Sequence, residues 1–208
     1  MENVLDIYER PYDPDYPQLC FDERPCQLLD DVLQPLPIKN GKEKREDYHY
    51  KRNGTAAVLA AVEPLSGKRL IEVRKQRTKK DYAEFMQKLS DAYPNAKKII
   101  LVQDNLNTHN PSSFYENLPA QEAFALTQRF EMIYTPKKAS WLNMAEIEFS
   151  ALSKQCLDRR IGSIEILDKE VQAWTKKRNR DQVKIKWQFS KTKARSKFQR
   201  FYKDIGTN

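Results

Sequence analysis

Three acidic residues lie where short apolar segments end or where a helix is expected. Asp22 follows the apolar residues 18–21, Asp104 ends the run KKIILVQD, and Glu146 lies within SWLNMAEIEF. Open sheets present their chemistry at the ends of their strands. If the strands that end at Asp22 and Asp104 are neighbours, a helix laid across that edge places Glu146 beside both.

Carboxylates at such short range repel each other, so the cluster must either raise a pKa or bind a cation. Oxygen ligands without a partnering Cys or His set favour Mg²⁺ or Mn²⁺. Two such ions about 3.5 to 4 Å apart activate a water or a DNA 3′-hydroxyl and stabilise the leaving oxygen of an in-line phosphoryl displacement. The sequence therefore predicts a two-metal site formed by Asp22, Asp104 and Glu146.

Each acid also has an ordinary explanation. An Asp just past a strand often caps a loop or a helix, and Glu146 alone is typical of a solvated helix residue. Glu148 lies about 200° from Glu146 around a helix, so only one of the two can join the cluster. Glu23 is expected to point away from Asp22 if the strand continues, and it is left out of the site.

Hydrophobic periodicity predicts the elements that carry these acids. Residues 1–17, within a proline-rich start, are expected to form a loop that precedes a catalytic domain over 18–175. The predicted order is β, β, β, α, β, α, β, α, α. Strands are expected at 18–21, on both sides of a turn at 64–67, at 97–104 and at 130–136. Helices are expected after Thr78, over 114–128, from Ser140 and over 164–177.

Basic residues concentrate at the C-terminal end. The chain has a formal net charge of +8, and residues 176–203 contain twelve Lys or Arg against one acid, Asp181. Interleaved aromatic residues favour contact with a DNA backbone over the usual solvated surface. No secondary structure is assigned to this segment, 176–208. The candidate DNA-binding residues are Lys176, Lys177, Arg178, Arg180, Lys184, Lys186, Lys191, Lys193, Arg195, Lys197 and Arg200.

Composition limits the class of protein. A chain of 208 residues with 39% hydrophobic and 11% aromatic residues suits one folded domain. It contains no apolar run of about 18 residues and no signal-peptide pattern, so no membrane segment is expected. Its three cysteines form no CxxC pair, which is typical of reduced thiols in a cytoplasmic protein and argues against a disulfide framework or a structural zinc.

The motifs around the three acids resemble those of DDE-type transposases of the bacterial insertion-sequence and mariner superfamily. The matching segments are CFDERP at Asp22, LVQDNLNTH at Asp104 and ASWLNMAEIEFSAL at Glu146. They follow the family's order across most of the chain, with separations of 82 and 42 residues. Met144 stands where the family often has Pro, which leaves the assignment of Glu146 unaffected.

The resemblance implies an α/β fold of the ribonuclease-H-like type, with a central five-stranded mixed sheet flanked by helices. It also implies that Asp22, Asp104 and Glu146 hold two Mg²⁺ or Mn²⁺ ions, and that the enzyme cuts DNA at transposon ends and joins those ends to target DNA. A homodimer in the bacterial cytoplasm, associated with the nucleoid when bound to DNA, is the family-level expectation.

Family members carry a helix-turn-helix module before the catalytic domain, whereas about 17 residues precede the first predicted strand here. We therefore expect the catalytic half of a transposase, either the downstream part of one split over two reading frames or a truncated remnant. A separate helix-turn-helix polypeptide is then a candidate partner.

Further polar residues are candidates for contact with a ligand carboxylate or with DNA. His109 is a candidate for contact with a DNA phosphate or for orienting the metal site, against the plainer interpretation of a loop or helix-capping residue. Asn105 fits a hydrogen bond to a ligand carboxylate or a simple turn. Asn143 of the LNMAE motif is a third candidate. Trp141 fits packing beneath the helix, or stacking on an unpaired base.

Two other functions remain open. The chain can be a DNA-binding remnant that no longer catalyses, or another two-metal nuclease of the same fold, such as a ribonuclease H or a resolvase. The LNMAE motif after DNLNTH favours the transposase, whereas cleavage of an RNA–DNA hybrid without joining activity would favour the other nuclease.

Overall fold

A computed structural model describes residues 1–32 and 49–199 of the chain. In chain order, the elements in these residues are helix α1 (Glu2–Glu9), strands β1 (Gln18–Asp31), β2 (Tyr50–Glu63) and β3 (Lys68–Arg74), helix α2 (Lys79–Asp91), strand β4 (Ile99–Gln103), helices α3 (Ser112–Asn117) and α4 (Ala120–Arg129), strand β5 (Phe130–Tyr134), a 3-10 helix (Ser140–Leu142), and helices α5 (Ala145–Gln155), α6 (Ile164–Arg180) and α7 (Lys191–Lys197).

The five strands form one mixed sheet in the order β3-β2-β1-β4-β5. Strand β1 pairs antiparallel with β2 and parallel with β4, and β4 pairs parallel with β5. This confirms the predicted α/β fold with a five-stranded mixed sheet. The predicted helix over 114–128 is divided in two, because the chain is extended at Leu118 and Pro119 between α3 and α4.

Helices cover both faces of the sheet because successive strand residues point to opposite sides. Leu19 and Phe21 of β1 pack with α2, α3 and α4 on one face. Cys20 lies in the core on the other face, with α1 and the start of α5. A third apolar cluster packs α5 and α6 onto the outer part of β2 and β3. The sheet therefore has two sides with different neighbours at the level of Asp22.

The N-terminal residues are not the predicted loop throughout. Residues Glu2–Glu9 form α1, in which Val4, Leu5 and Ile7 are at most 2% exposed. The Tyr8 hydroxyl donates a hydrogen bond of 2.7 Å to the Leu142 carbonyl, beside the start of α5. The prediction of a loop was wrong for α1 because these apolar residues are covered by parts of the chain that are distant in sequence.

The C-terminal segment lies against the sheet and α1. The Ile185 N–H donates to the Pro64 carbonyl over 3.0 Å, and the rings of Trp187 and Tyr8 make an edge contact with centroids 5.2 Å apart. Residues 183–190 are irregular, and α7 follows them. This segment is thus part of the folded domain as far as residue 199. Arg200 lies outside the described residues.

No helix among the described residues is long and apolar enough to cross a membrane.

Candidate active site

Strand β1 does not end at Asp22, as the sequence predicted, but continues to Asp31. What ends near Asp22 is the pairing with β4. The last parallel pair is Cys20 with Val102, and β4 stops at Gln103. The same register continued by two residues places Asp22 beside Asp104. The sheet edge predicted from two strand ends is therefore formed by the end of β4 against the middle of β1.

Asp22 is buried, with only 8% of the residue exposed. Its Oδ1 accepts a hydrogen bond of 2.8 Å from the Glu23 N–H, and its Oδ2 accepts one of 3.2 Å from Asn143 Nδ2. Burial, together with the negative charges of Asp104 and Glu146, raises the pKa of Asp22 to about 7, although the Glu23 N–H and His109 act to lower it. Asp22 is thus a buried acid whose negative charge is poorly compensated.

Asn143 fixes the start of helix α5 against β1. Its side chain is fully buried; Nδ2 donates to the Phe21 carbonyl over 2.8 Å, and Oδ1 accepts from the Ala145 N–H over 3.1 Å. Arg24 adds a second connection, donating to the Phe149 carbonyl over 3.3 Å. These contacts hold the first turn of α5, which carries Glu146, over the strand that carries Asp22.

The two glutamates of α5 have different environments. Glu146 is exposed, whereas Glu148 is 1% exposed. Glu148 lies between two arginines, with its Oε1 2.8 Å from Arg69 Nε and its carboxylate bound by Arg178 through bonds of 2.8 and 2.9 Å. This agrees with the expectation that only one of the two glutamates can join Asp22. Glu148 instead neutralises two cations inside the protein.

Asp104 is held by His109, five residues later. Asp104 Oδ1 lies 2.5 Å from His109 Nδ1, and the imidazole is fully buried while the carboxylate is 27% exposed. On its other side, His109 Nε2 lies 3.6 Å from Glu23 Oε2, which is an ion-pair contact beyond hydrogen-bond length. Burial lowers the pKa of His109, but the carboxylates of Asp104 and Glu23 outweigh it and raise the pKa to about 9.

The three acids fit a divalent cation by chemistry and charge. Their oxygens are the ligands that Mg²⁺ and Mn²⁺ prefer, and a cation would compensate the charge that raises the pKa of Asp22. Over residues 1–32 and 49–199, however, no three His, Cys, Asp or Glu side chains are placed so that they share one ion. The arrangement is a set of neighbouring carboxylates, and not a formed coordination shell.

The structure also places the secondary candidates. Asn143 and His109 each contact one of the two aspartates, whereas Asn105 is exposed and its side chain makes no hydrogen bond among the described residues. Trp141 is 46% exposed and packs against Phe189, with ring centroids 5.4 Å apart, so it is not a core residue beneath the helix. The catalytic and metal-binding roles of the three acids stay predictions.

Glu23 is the residue that sequence reasoning excluded and that the structure brings to the site. Its side chain is 4% exposed and contacts His109 from the face of β1 opposite to Asp22. The available signal was the adjacency of two acids, Asp22 and Glu23, on a strand that continues past them.

Several of the basic candidates have acidic partners. Arg178 binds the buried Glu148, and Lys177 and Arg180 contact Asp181 over 2.8 and 3.0 Å. Lys191 pairs with Asp6 and Glu9, and Arg195 makes two bonds, of 2.8 and 2.7 Å, to Glu2. The candidates that lie exposed without a carboxylate contact in the described part of the chain are Lys176, Lys184, Lys186, Lys193 and Lys197.

Comparison with known proteins gives one family and one fold. The family model described as DDE superfamily endonuclease matches residues 17–168. The structure is similar to the Mos1 transposase paired-end complex with left transposon end, at a TM-score of 0.58 and 14% identity over 84% of this chain and 53% of that chain. It is also similar to the catalytic domain of Mos1 mariner transposase, at a TM-score of 0.55 and 12% identity over 84% of this chain and 78% of that chain.

The Mos1 paired-end complex with Mn is matched at a TM-score of 0.58 and 15% identity over 85% of this chain and 54% of that one. The chain thus spans about half the length of the Mos1 chains in these complexes. No curated protein matches the sequence. At these identities the structural likeness shows the ribonuclease-H-like fold of a transposase catalytic domain.

Proposed function

This chain belongs to the DDE superfamily endonucleases, and on that premise we propose that it cuts DNA at transposon ends and joins those ends to target DNA. Asp22, Asp104 and Glu146 are its proposed catalytic and metal-binding residues. The observation that carries the proposal is the buried Asp22 beside the end of β4, with the Glu146 helix held over it by Asn143.

The chain's own residues prepare this site in three ways. Asn143 holds the Asp22 carboxylate and the start of α5 together, which sets where Glu146 stands. His109 holds one oxygen of Asp104 and leaves the other available. When bound at these carboxylates, a pair of Mg²⁺ or Mn²⁺ ions would supply the Lewis acidity that activates the attacking oxygen and stabilises the leaving one.

DNA is the proposed substrate and partner. The relatives were solved as paired-end complexes of Mos1, one of them with the left transposon end. We extend this to a homodimer of the present chain in the bacterial cytoplasm, at the nucleoid, with a helix-turn-helix polypeptide supplying recognition of the ends. The exposed lysines of 176–199 are the proposed contacts to DNA phosphates. Arg178, a DNA-binding candidate from the sequence, is left out of the proposed DNA contacts because it binds Glu148.

The decisive experiment is nicking of supercoiled plasmid by the purified chain with Mn²⁺ or Mg²⁺. Asp104→Asn and Glu146→Gln are expected to abolish nicking, as is a chelator. Asp91→Asn, at an exposed position at the end of α2, makes the same chemical change away from the site and is expected to leave nicking intact. Nicking that survives Asp104→Asn would refute the assigned site.

Two further assays separate the alternative functions. A labelled oligonucleotide with a free 3′-hydroxyl is expected to become joined to the plasmid, and hydrolysis of an RNA–DNA hybrid is expected to be absent. Hybrid cleavage without joining would indicate a ribonuclease H. Binding to DNA without any cleavage by the wild-type chain would indicate a non-catalytic DNA-binding remnant.

A further inference from the structure

Two neighbouring acids of β1 serve opposite faces of the sheet. Asp22 faces Asn143 and α5, while Glu23 faces the side on which Phe21 packs with α2. On that side the Glu23 carboxylate, 4% exposed, meets the fully buried ring of His109 at a distance of 3.6 Å from Oε2 to Nε2. The same ring binds Asp104 through Nδ1 at 2.5 Å.

The His109 ring is enclosed in a way that restricts its orientation. The ring of Tyr82 stacks on it and the ring of Phe21 meets it edge-on, both with centroids 5.1 Å away. The backbone of His109 is held as well, since Gln103 Nε2 donates to its carbonyl over 3.0 Å and the Tyr82 hydroxyl holds Gln103 over 2.9 Å. Both ring nitrogens therefore point at fixed places, one occupied by Asp104 and the other by Glu23.

The pairing of strands does little to fix the two proposed metal-binding aspartates relative to each other. The parallel pairing of β1 with β4 covers only residues 18–20 and 100–102, and Asp104 lies beyond the end of β4. Asp104 is followed by a stretch that is not regular until α3 begins at Ser112. The contact from Glu23 through His109 thus spans the gap between the two strands where the sheet pairing has ended.

We infer that Glu23 is a positioning residue that acts through His109 to hold the Asp104 carboxylate in place relative to Asp22. The inference rests on the proposed function insofar as the two aspartates are metal ligands. Arg77 completes the arrangement, with its Nη1 3.6 Å from Glu23 Oε1. Polar groups that orient metal ligands from behind typically change metal affinity 10- to 100-fold when they are removed.

The test compares Glu23→Ala and Glu23→Gln in the purified chain. Mn²⁺ affinity is measured by calorimetry without DNA, and amide hydrogen exchange is measured by mass spectrometry on the metal-free chain. Glu23→Ala is expected to weaken Mn²⁺ binding about ten-fold or more and to speed exchange in 103–110. Glu23→Gln keeps the size of the side chain but removes the charge of the ion-pair contact with His109 Nε2, so it is expected to change both properties in the same direction as Glu23→Ala.

A matched control is Glu63→Ala. Glu63 is also a buried glutamate, 2% exposed, but it lies at the C-terminal end of β2, three residues past the partner of Asp22, where it binds Ser66 and Tyr93. This variant is expected to lower the melting temperature while leaving Mn²⁺ affinity and exchange in 103–110 unchanged. A residue with only a structural role would behave as Glu63 does.

The outcomes distinguish this inference from the proposed function. If Asp104→Asn abolishes Mn²⁺ binding and Glu23→Ala leaves both Mn²⁺ affinity and exchange in 103–110 unchanged, the positioning role is refuted and the metal site stands. If the wild-type chain binds no Mn²⁺, the proposed function fails, and the exchange measurement alone decides. Faster exchange confined to 103–110 in Glu23→Ala then supports the positioning role, and unchanged exchange overturns it.

Discussion

The free energy of unfolding of Asp22→Asn relative to the wild type, with metal chelated, is expected to be higher at pH 7 than at pH 5. Burial first, and then the charges of Asp104 and Glu146, raise the pKa of Asp22 from 3.8 to about 7. Between these two values the folded state keeps a proton that the unfolded state has already lost. The contribution of Asp22 to stability is therefore fully present below pH 3.8 and is lost as the pH rises towards 7.

The magnitude follows from linkage. Each pH unit well inside that window lowers the free energy of unfolding by about 1.4 kcal/mol, and the slope falls off near the folded-state pKa, so the wild type loses about 2 kcal/mol at Asp22 between pH 5 and pH 7. The Asp22→Asn variant has no titrating group at this position and loses nothing there. For a domain of this size, about 2 kcal/mol corresponds to a shift in melting temperature of roughly 4 to 8 °C.

The assay is thermal or urea unfolding with a chelator present, at pH 5 and pH 7. The amide introduced by Asp22→Asn can face Asn143 Nδ2, a mismatch that costs about 1 to 3 kcal/mol. This cost is the same at both pH values, so the change in the difference between variant and wild type isolates the titration of Asp22. Asp91→Asn controls for the lost negative charge. A difference that stays constant from pH 5 to pH 7 would refute the reasoning.

Three other outcomes are expected. Metal binding at pH 6 is expected to release close to one proton, because Asp22 must ionise before it can bind the ion. Calorimetry in buffers of different ionisation heat counts the released protons. A binding heat that does not depend on the buffer would contradict the prediction. Glu148→Gln is expected to lower the free energy of unfolding in urea by about 3 to 5 kcal/mol, because it unpairs two arginines inside the protein. Glu146→Gln is expected to abolish nicking with little change in stability. Equal stabilities of the two variants would contradict the different roles given to Glu146 and Glu148. Exchanging both Lys191 and Arg195 for Ala is expected to change DNA affinity in a gel shift by less than about three-fold, since acids of α1 already neutralise them. A loss of about ten-fold would show that the two residues do contact DNA.

The chain order of the strands was predictable because it follows from local patterns, whereas the grouping of Asp22, Asp104 and Glu146 into one site stays a prediction. The runs at 18–21, 97–104 and 130–136 are short and apolar, and they form three mutually parallel strands beside the hairpin of β2 and β3. The sequence also predicted that clustered carboxylates must raise a pKa or bind a cation. The raised pKa of Asp22 fits the first alternative and leaves the second open.

Long-range packing decided what the sequence did not predict. Helix α1 has eight residues, too few to be stable by itself. It forms because Tyr8 reaches Leu142 and Trp187, which lie more than 130 residues away. Likewise, the acids that neutralise Lys191 and Arg195 lie at the other end of the chain. Charge composition showed where cations concentrate but not which of them the fold would pair.

Glu23 shows the same limit within the site itself. Strand alternation correctly predicted that Glu23 points away from Asp22. The further conclusion, that Glu23 has no contact with the site, was wrong. Residues 104–111 pass on the side of the sheet that Glu23 faces, and they place His109 between Glu23 and Asp104. Periodicity assigns a face to each strand residue, but the neighbours on that face are set by the loop that leaves the adjacent strand. At the end of a short parallel pairing, both faces of one strand can therefore contribute to the same carboxylate cluster.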